Sequence, residues 1–232
     1  MAFGIEHGAS KAEVRKALGL RETIFDLEAF YRQAYEKGAR LVGLLGPSGS
    51  TWSGAKAYLE EALTEAGADI PIIFVTNGTK EGTAGILTRT VSKHFPVLAI
   101  YPTEISEDLL NLPYVTFRFP VPPVIAHVSY WETAAVPFVA YLSSLICIGG
   151  GSGTTFVVEA LSVINKRRIA FDRDRFLGRT PGSVASIAYV PIASEPRPAL
   201  AKRIKCGDIG GFYGVLDQDD PSTLAEFIRN AS

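Results

Sequence analysis

Six short segments are apolar at nearly every position: Leu41–Leu45, Pro71–Val75, Val97–Tyr101, Tyr114–Phe117, Leu145–Ile148 and Arg168–Phe171. Neighbouring side chains of a strand point to opposite sides of its sheet, so a strand that is apolar at consecutive positions has no face left for water. Such strands belong in a parallel sheet with helices over both faces. The intervening segments supply those helices: Thr23–Lys37, Ala55–Glu65, Thr83–Lys93, Glu132–Leu142, Thr154–Asn165 and Ser222–Arg229. In the first of them Ile24, Leu27, Phe30, Tyr31 and Tyr35 recur at helical spacing, and Gly38 follows as a C-terminal stop. Alternation of this kind gives βαβ units with right-handed crossovers. The fold expected is therefore α/β, a Rossmann-like three-layer sandwich with a mostly parallel sheet.

At 232 residues, against roughly 150 for a typical domain, the chain is read as a single domain over residues 1–232. Residues 1–20 carry one weak amphipathic set, Val14, Leu18 and Leu20, and are read as an arm or a packing helix. Residues 173–220, broken by Pro181, Pro191, Pro196, Pro198, Gly210 and Gly211, are expected to hold loops and one or two short strands.

Lys and Arg total 23 against 24 for Asp and Glu, a net charge of −1. Nucleic acid is not the expected partner, because phosphate-backbone binding needs an excess of cations on one face. No apolar stretch approaches the roughly 20 residues that span a bilayer, and the first residues carry no apolar block after a basic start. Neither membrane insertion nor export is expected. Two cysteines, Cys147 in an apolar run and Cys206 beside Lys205, do not make a disulfide framework, which points to a cytoplasmic setting. Three scattered histidines, His7, His94 and His127, offer no zinc site, and no metal or cofactor is expected.

Chemistry concentrates in Ile146-Cys-Ile-Gly-Gly-Gly-Ser-Gly-Thr-Thr-Phe-Val-Val-Glu-Ala-Leu161. An apolar strand runs into Gly149, Gly150, Gly151 and Gly153 and then into a helix capped by Ser152 or Thr154. Without Cβ atoms the turn brings backbone N–H groups close to a ligand, and the helix dipole favours an anion there. A tight turn without a ligand is the plainer alternative. Two other strand ends repeat the theme, Gly46-Pro-Ser-Gly-Ser-Thr-Trp-Ser-Gly54 and Thr76-Asn-Gly-Thr-Lys-Glu-Gly-Thr83. In a parallel sheet these loops gather at the carboxyl edge, where ligands bind at the switch in strand order. The ligand or phosphate-binding set expected is Gly46, Ser48, Gly49, Asn77, Gly78, Gly82, Thr83, Gly150, Gly151, Ser152, Gly153 and Thr154.

Two common phosphate motifs fail on spacing. The Walker pattern is missed because Gly49 and Gly54 are followed by Ala55, with Lys56 one place late. The dinucleotide fingerprint is missed because Gly151 and Gly153 are followed by Phe156 at the third glycine position.

The glycine segments resemble the superfamily of LONELY GUY-type phosphoribohydrolases, the "lysine decarboxylase-like" proteins and SLOG nucleotide-sensing domains. Gly149-Gly-Gly-Ser-Gly-Thr154 is similar to their PGGxGTxxE, with Gly149 where proline is usual; Thr76–Gly85 resembles their second glycine loop; Val42–Ser48 takes the place of their opening strand and turn. The likeness runs over about residues 41–172 in order. It implies a nucleotide or nucleotide-derivative ligand, a Rossmann-like fold and a homodimer through helices flanking the motif strand. The family's catalytic glutamate lies three residues after the motif threonine, a position that Val157 holds here; Glu159 is the nearest carboxylate. The family's arginine precedes the motif strand, yet residues 127–144 contain no arginine or lysine.

Other residues carry two readings each. Glu159 is a general acid/base or a solvent-facing carboxylate. His127, Tyr130, Trp131 and Glu132 stack on a base or pack a helix start. Lys80 neutralises phosphate or is solvated, and Arg167, Arg168, Arg173, Arg175 and Arg179 reach a phosphate or form a surface charge run. Three functions follow: a nucleotide-binding protein; a phosphoribohydrolase that cleaves the N-glycosidic bond of a nucleoside monophosphate with Glu159 as its carboxylate; and a ligand-free structural subunit.

Overall fold

The structure is a computed structural model that describes residues 8–67, 69–123, 130–171, 184–196 and 198–230, with backbone alone for 168–171. The elements in chain order are α1 (Lys11–Leu18), α2 (Leu27–Glu36), β1 (Arg40–Leu45), α3 (Ala55–Ala66), β2 (Ile72–Thr76), α4 (Gly82–Val91), β3 (Val97–Pro102), β4 (Phe117–Val121), α5 (Tyr130–Val139), β5 (Ser144–Ile148), α6 (Ser152–Phe171), β6 (Ser186–Val190), α7 (Ala199–Lys205), β7 (Phe212–Val215) and α8 (Pro221–Asn230). The strands form one sheet in the order β4-β3-β2-β1-β5-β6-β7, and every pairing is parallel. This is the Rossmann-like α/β sandwich that the apolar strands imply.

Alternation along each strand divides the core into two layers. Val42, Leu44, Ile72, Phe74, Val97, Ala99, Ile146 and Ile148 face one side, under α3, α4 and α8. Leu41, Leu45, Ile73, Val75, Leu98, Ile100, Leu145 and Cys147 face the other, under α1, α2, α5, α6 and α7. Both sets are almost wholly buried.

Two strand assignments are corrected. Arg168–Phe171 is the last turn of α6, since nothing after Asn165 breaks the helix and a short apolar run does not separate a strand from a helix end by periodicity. Residue Tyr114 lies in a short 3₁₀ turn, Leu112–Tyr114, with Pro113 inside it, and the strand begins at Phe117. The irregular region supplies β6 and β7 and also a helix, α7. Helix ends shift too: α2 starts at Leu27 because the Asp26 carboxylate accepts from the Ala29 N–H at 3.0 Å, and α5 spans Tyr130–Val139 with Pro137 near its end.

Residues 10–24 cover the outer edge of β4. Ser10 and Glu13 form a capping box that starts α1, and Leu18 and Leu20 are buried. Lys11 donates to the carbonyls of Pro113 and Val115, and Arg15 to that of Thr116. The Arg118 N–H donates to Glu22 O at 2.7 Å, and the Ile24 N–H to Arg118 O at 2.9 Å, which continues the parallel ladder past β4. No helix among the described residues is long and apolar enough to cross a membrane.

Candidate functional site

The sheet order changes direction between β1 and β5, and the loops after these two strands part there at the carboxyl edge. A cleft of about 880 Å³ opens between them. Of the residues expected from sequence, Gly46, Ser48, Gly49, Asn77, Gly151, Ser152, Gly153 and Thr154 line it. Leu45, Ile100, Phe138 and Trp131 give it an apolar wall, and Glu81, Glu132 and Glu195 bring carboxylates to it.

The turn after β5 is shaped by Gly149, whose φ is +69°. Proline is locked near −65° and cannot take this conformation, which accounts for glycine where the resembling proteins carry proline. A Cβ at Gly149 would also meet Ile192 Cδ1 at 2.5 Å. The next residue, Gly150, is held by the loop after β6 and by the start of α7. Its N–H donates to the two Glu195 carboxylate oxygens at 3.0 and 2.9 Å, and its carbonyl accepts from the Leu200 N–H at 3.1 Å. From Gly151 onward the amides lie in the first turn of α6, where helix geometry supplies no acceptors. Among the described residues no hydrogen-bond acceptor reaches the N–H groups of Gly151, Ser152, Gly153 or Thr154. Space around Gly151 is open: a Cβ there would touch nothing within 4 Å.

The remaining expected residues stand behind the cleft. Gly150 is turned to Glu195 as described. Gly78 packs on Ala99, 3.1 Å from where its Cβ would sit. Gly82 has a φ of +57° and lies so close beneath the first loop that a Cβ would fall 2.4 Å from Ser48 O. Thr83 is fully buried; its Oγ1 accepts from the Trp52 N–H at 2.9 Å and donates to Ser50 O, while its own N–H also donates to Ser50 O. These residues tie the second loop to the first. Buried Asn111, which no motif marks, holds the second loop from the other side by donating from Nδ2 to Thr79 O and Gly85 O.

Val157 faces the cleft, and Glu159, two positions on, pairs with Arg203 of α7. Trp131 and Glu132 line the cleft, whereas Tyr130, Lys80 and Arg167 are exposed and are not among its lining residues. His127, Arg173, Arg175 and Arg179 fall outside the described residues, as does the Arg168 side chain.

Glu195 is the residue that sequence reading misses. It lies in the loop after β6, and with β6 unplaced nothing marks that loop as part of the carboxyl edge. Burial pushes its carboxyl above the usual glutamate range, and the Gly150 N–H opposes that rise. Burial, and then the nearby Glu195 charge, push the neighbouring Tyr189 hydroxyl up to about 12. Among the described residues no lysine or arginine lines the cleft, and no cluster of His, Cys, Asp or Glu is placed to hold a metal ion.

No protein-family model matches the chain, and no curated protein matches it in sequence. Solved structures do match it. The molybdenum cofactor carrier protein of Chlamydomonas reinhardtii is 13% identical, with 83% of this chain and 98% of that chain covered and a TM-score of 0.53. DNA processing protein A of Helicobacter pylori, described for its single-stranded DNA binding mode, is 8% identical, with 82% and 80% covered and a TM-score of 0.53. The molybdenum cofactor binding protein of Rippkaea orientalis is 13% identical, with 83% and 96% covered and a TM-score of 0.49. What the chain shares with the first two is a Rossmann-like fold.

Proposed function

We propose that this chain is a single Rossmann-like domain of the SLOG and LONELY GUY type that binds a nucleotide or nucleotide derivative. One observation carries the reading: the cleft stands at the switch between β1 and β5, lined by Gly151–Thr154, whose amides meet no acceptor among the described residues. The ligand's anionic group sits on those amides, and its base lies against Trp131, Phe138 and Ile100. A cleft of this size suits such a molecule, since small-ligand sites run to roughly 300–1,000 Å³. That the same fold serves a cofactor carrier in Chlamydomonas reinhardtii supports a small-molecule ligand.

Binding is favoured over N-glycosidic cleavage because Val157 faces the cleft while Glu159 is engaged by Arg203. Exposed Val136 on α5, and Phe156 and Val163 seven residues apart on α6, support a homodimer through these helices.

Thermal unfolding against a panel of nucleosides and nucleotides tests the reading. A ligand of the native state at a hundredfold excess over its dissociation constant adds about 2.7 kcal/mol of apparent stability. Gly151→Val places a branched side chain in open space over the amides, so it should fold as the wild type does and lose the shift. A panel with no effect, or an equal shift in the variant, overturns the proposal.

A further inference from the structure

We infer that Glu195 makes the cleft selective by charge: it is a built-in anion at the glycine turn that excludes ligands bearing two or more phosphates. The inference rests on the nucleotide reading and adds to it the residue that sets which nucleotides enter.

Three observations on separate elements meet here. The Gly150 amide, first of the donors that the turn offers, is already taken by both Glu195 oxygens. Helix α7, which follows the loop that brings Glu195, is fastened to the same glycine by the Leu200 N–H on the Gly150 carbonyl, so Gly150 is engaged through both its N–H and its carbonyl. Glu81 at the start of α4 and Glu132 on α5 add two more carboxylates from other walls of the same cleft, with no lysine or arginine among the described lining residues. Helix-terminal amides hold one anionic group well. With no lysine or arginine among the described lining residues, a second or third phosphate lies in a partly enclosed space beside the carboxylates of Glu195, Glu81 and Glu132, where screening by salt is weakest. A nucleoside, or a ligand with a single anionic group on Gly151–Thr154, escapes this repulsion.

Isothermal titration of the whole chain with a nucleoside and its 5′-mono-, di- and triphosphates, at fixed ionic strength and without divalent cations, reads the effect. The triphosphate should bind at least about tenfold more weakly than the monophosphate, as like-charge repulsion in a partly desolvated cleft requires. In Glu195→Gln the ratio of triphosphate to nucleoside affinity should rise by about tenfold or more. Glu81→Gln, at an exposed position without a side-chain cap bond, is the second variant should Glu195→Gln fold poorly, and it should move the ratio in the same direction. A wild type that binds triphosphate as tightly as monophosphate overturns the inference and leaves the nucleotide reading standing. So does a ratio that stays fixed in the folded variants. Absence of binding by every member overturns both.

Discussion

Gly149 turns the chain at the end of β5 with a backbone angle that only glycine adopts without strain, and its missing Cβ leaves room for Ile192. Placing there the proline that the resembling motifs carry should therefore destabilise this chain. Gly149→Pro is expected to cost at least about 2 kcal/mol, from a φ the ring cannot reach and from overpacking on Ile192. Urea unfolding of the variant measures it, and a loss below about 0.5 kcal/mol, the range of neutral surface changes, would mean that the turn relaxes freely. The turn at Gly149 is legible from sequence because a glycine-rich strand-to-helix segment limits what the chain can do there. Glu195 is not legible. Its role depends on which loop reaches the turn from 45 residues away, and a solitary glutamate between prolines carries no local mark of that.

At the scale of elements, one buried hydroxyl takes part in joining α4 to the loop after β1. Thr83 Oγ1 accepts from the Trp52 N–H and donates to Ser50 O, adding two side-chain bonds to the backbone ones that Thr83 and Ala84 make to the same loop. Thr83→Val keeps the shape and removes both bonds, leaving the Trp52 amide without its acceptor. Such a change costs about 1–3 kcal/mol, and chemical denaturation should show a loss in that range together with weaker ligand binding. A neutral result would show that the loops are held elsewhere. Strands β1, β2, β3 and β5 stand out in the sequence because both their faces are apolar. Strand β6 does not, since Ser186-Ile-Ala-Tyr-Val190 follows a proline-broken stretch, while Arg168–Phe171 copies the strand pattern and belongs to a helix. Length settles such cases only when the boundaries are known, and α6 runs to 20 residues without a glycine or proline after its first turn.

For the molecule as a whole, a seven-stranded parallel sheet requires each strand to pair with one far away in sequence. Residues 10–24 are the extreme case: the bonds from Lys11 reach carbonyls 102 and 104 residues on, at an edge that exists only once β3 and β4 have paired. Closing so long a loop is slow and is rewarded only by a formed partner. These contacts accordingly belong late on the folding path, after the barrier. Lys11→Met with Arg15→Met should speed unfolding and leave the refolding rate almost unchanged, as expected where native contacts are absent from the transition state. Stopped-flow refolding and unfolding in urea would separate the two limbs, and a slowed refolding limb with unchanged unfolding would place the clasp in the nucleus instead. Helix α1, made before β1–β7, thus docks late, and during synthesis it waits undocked until β4 has left the ribosome.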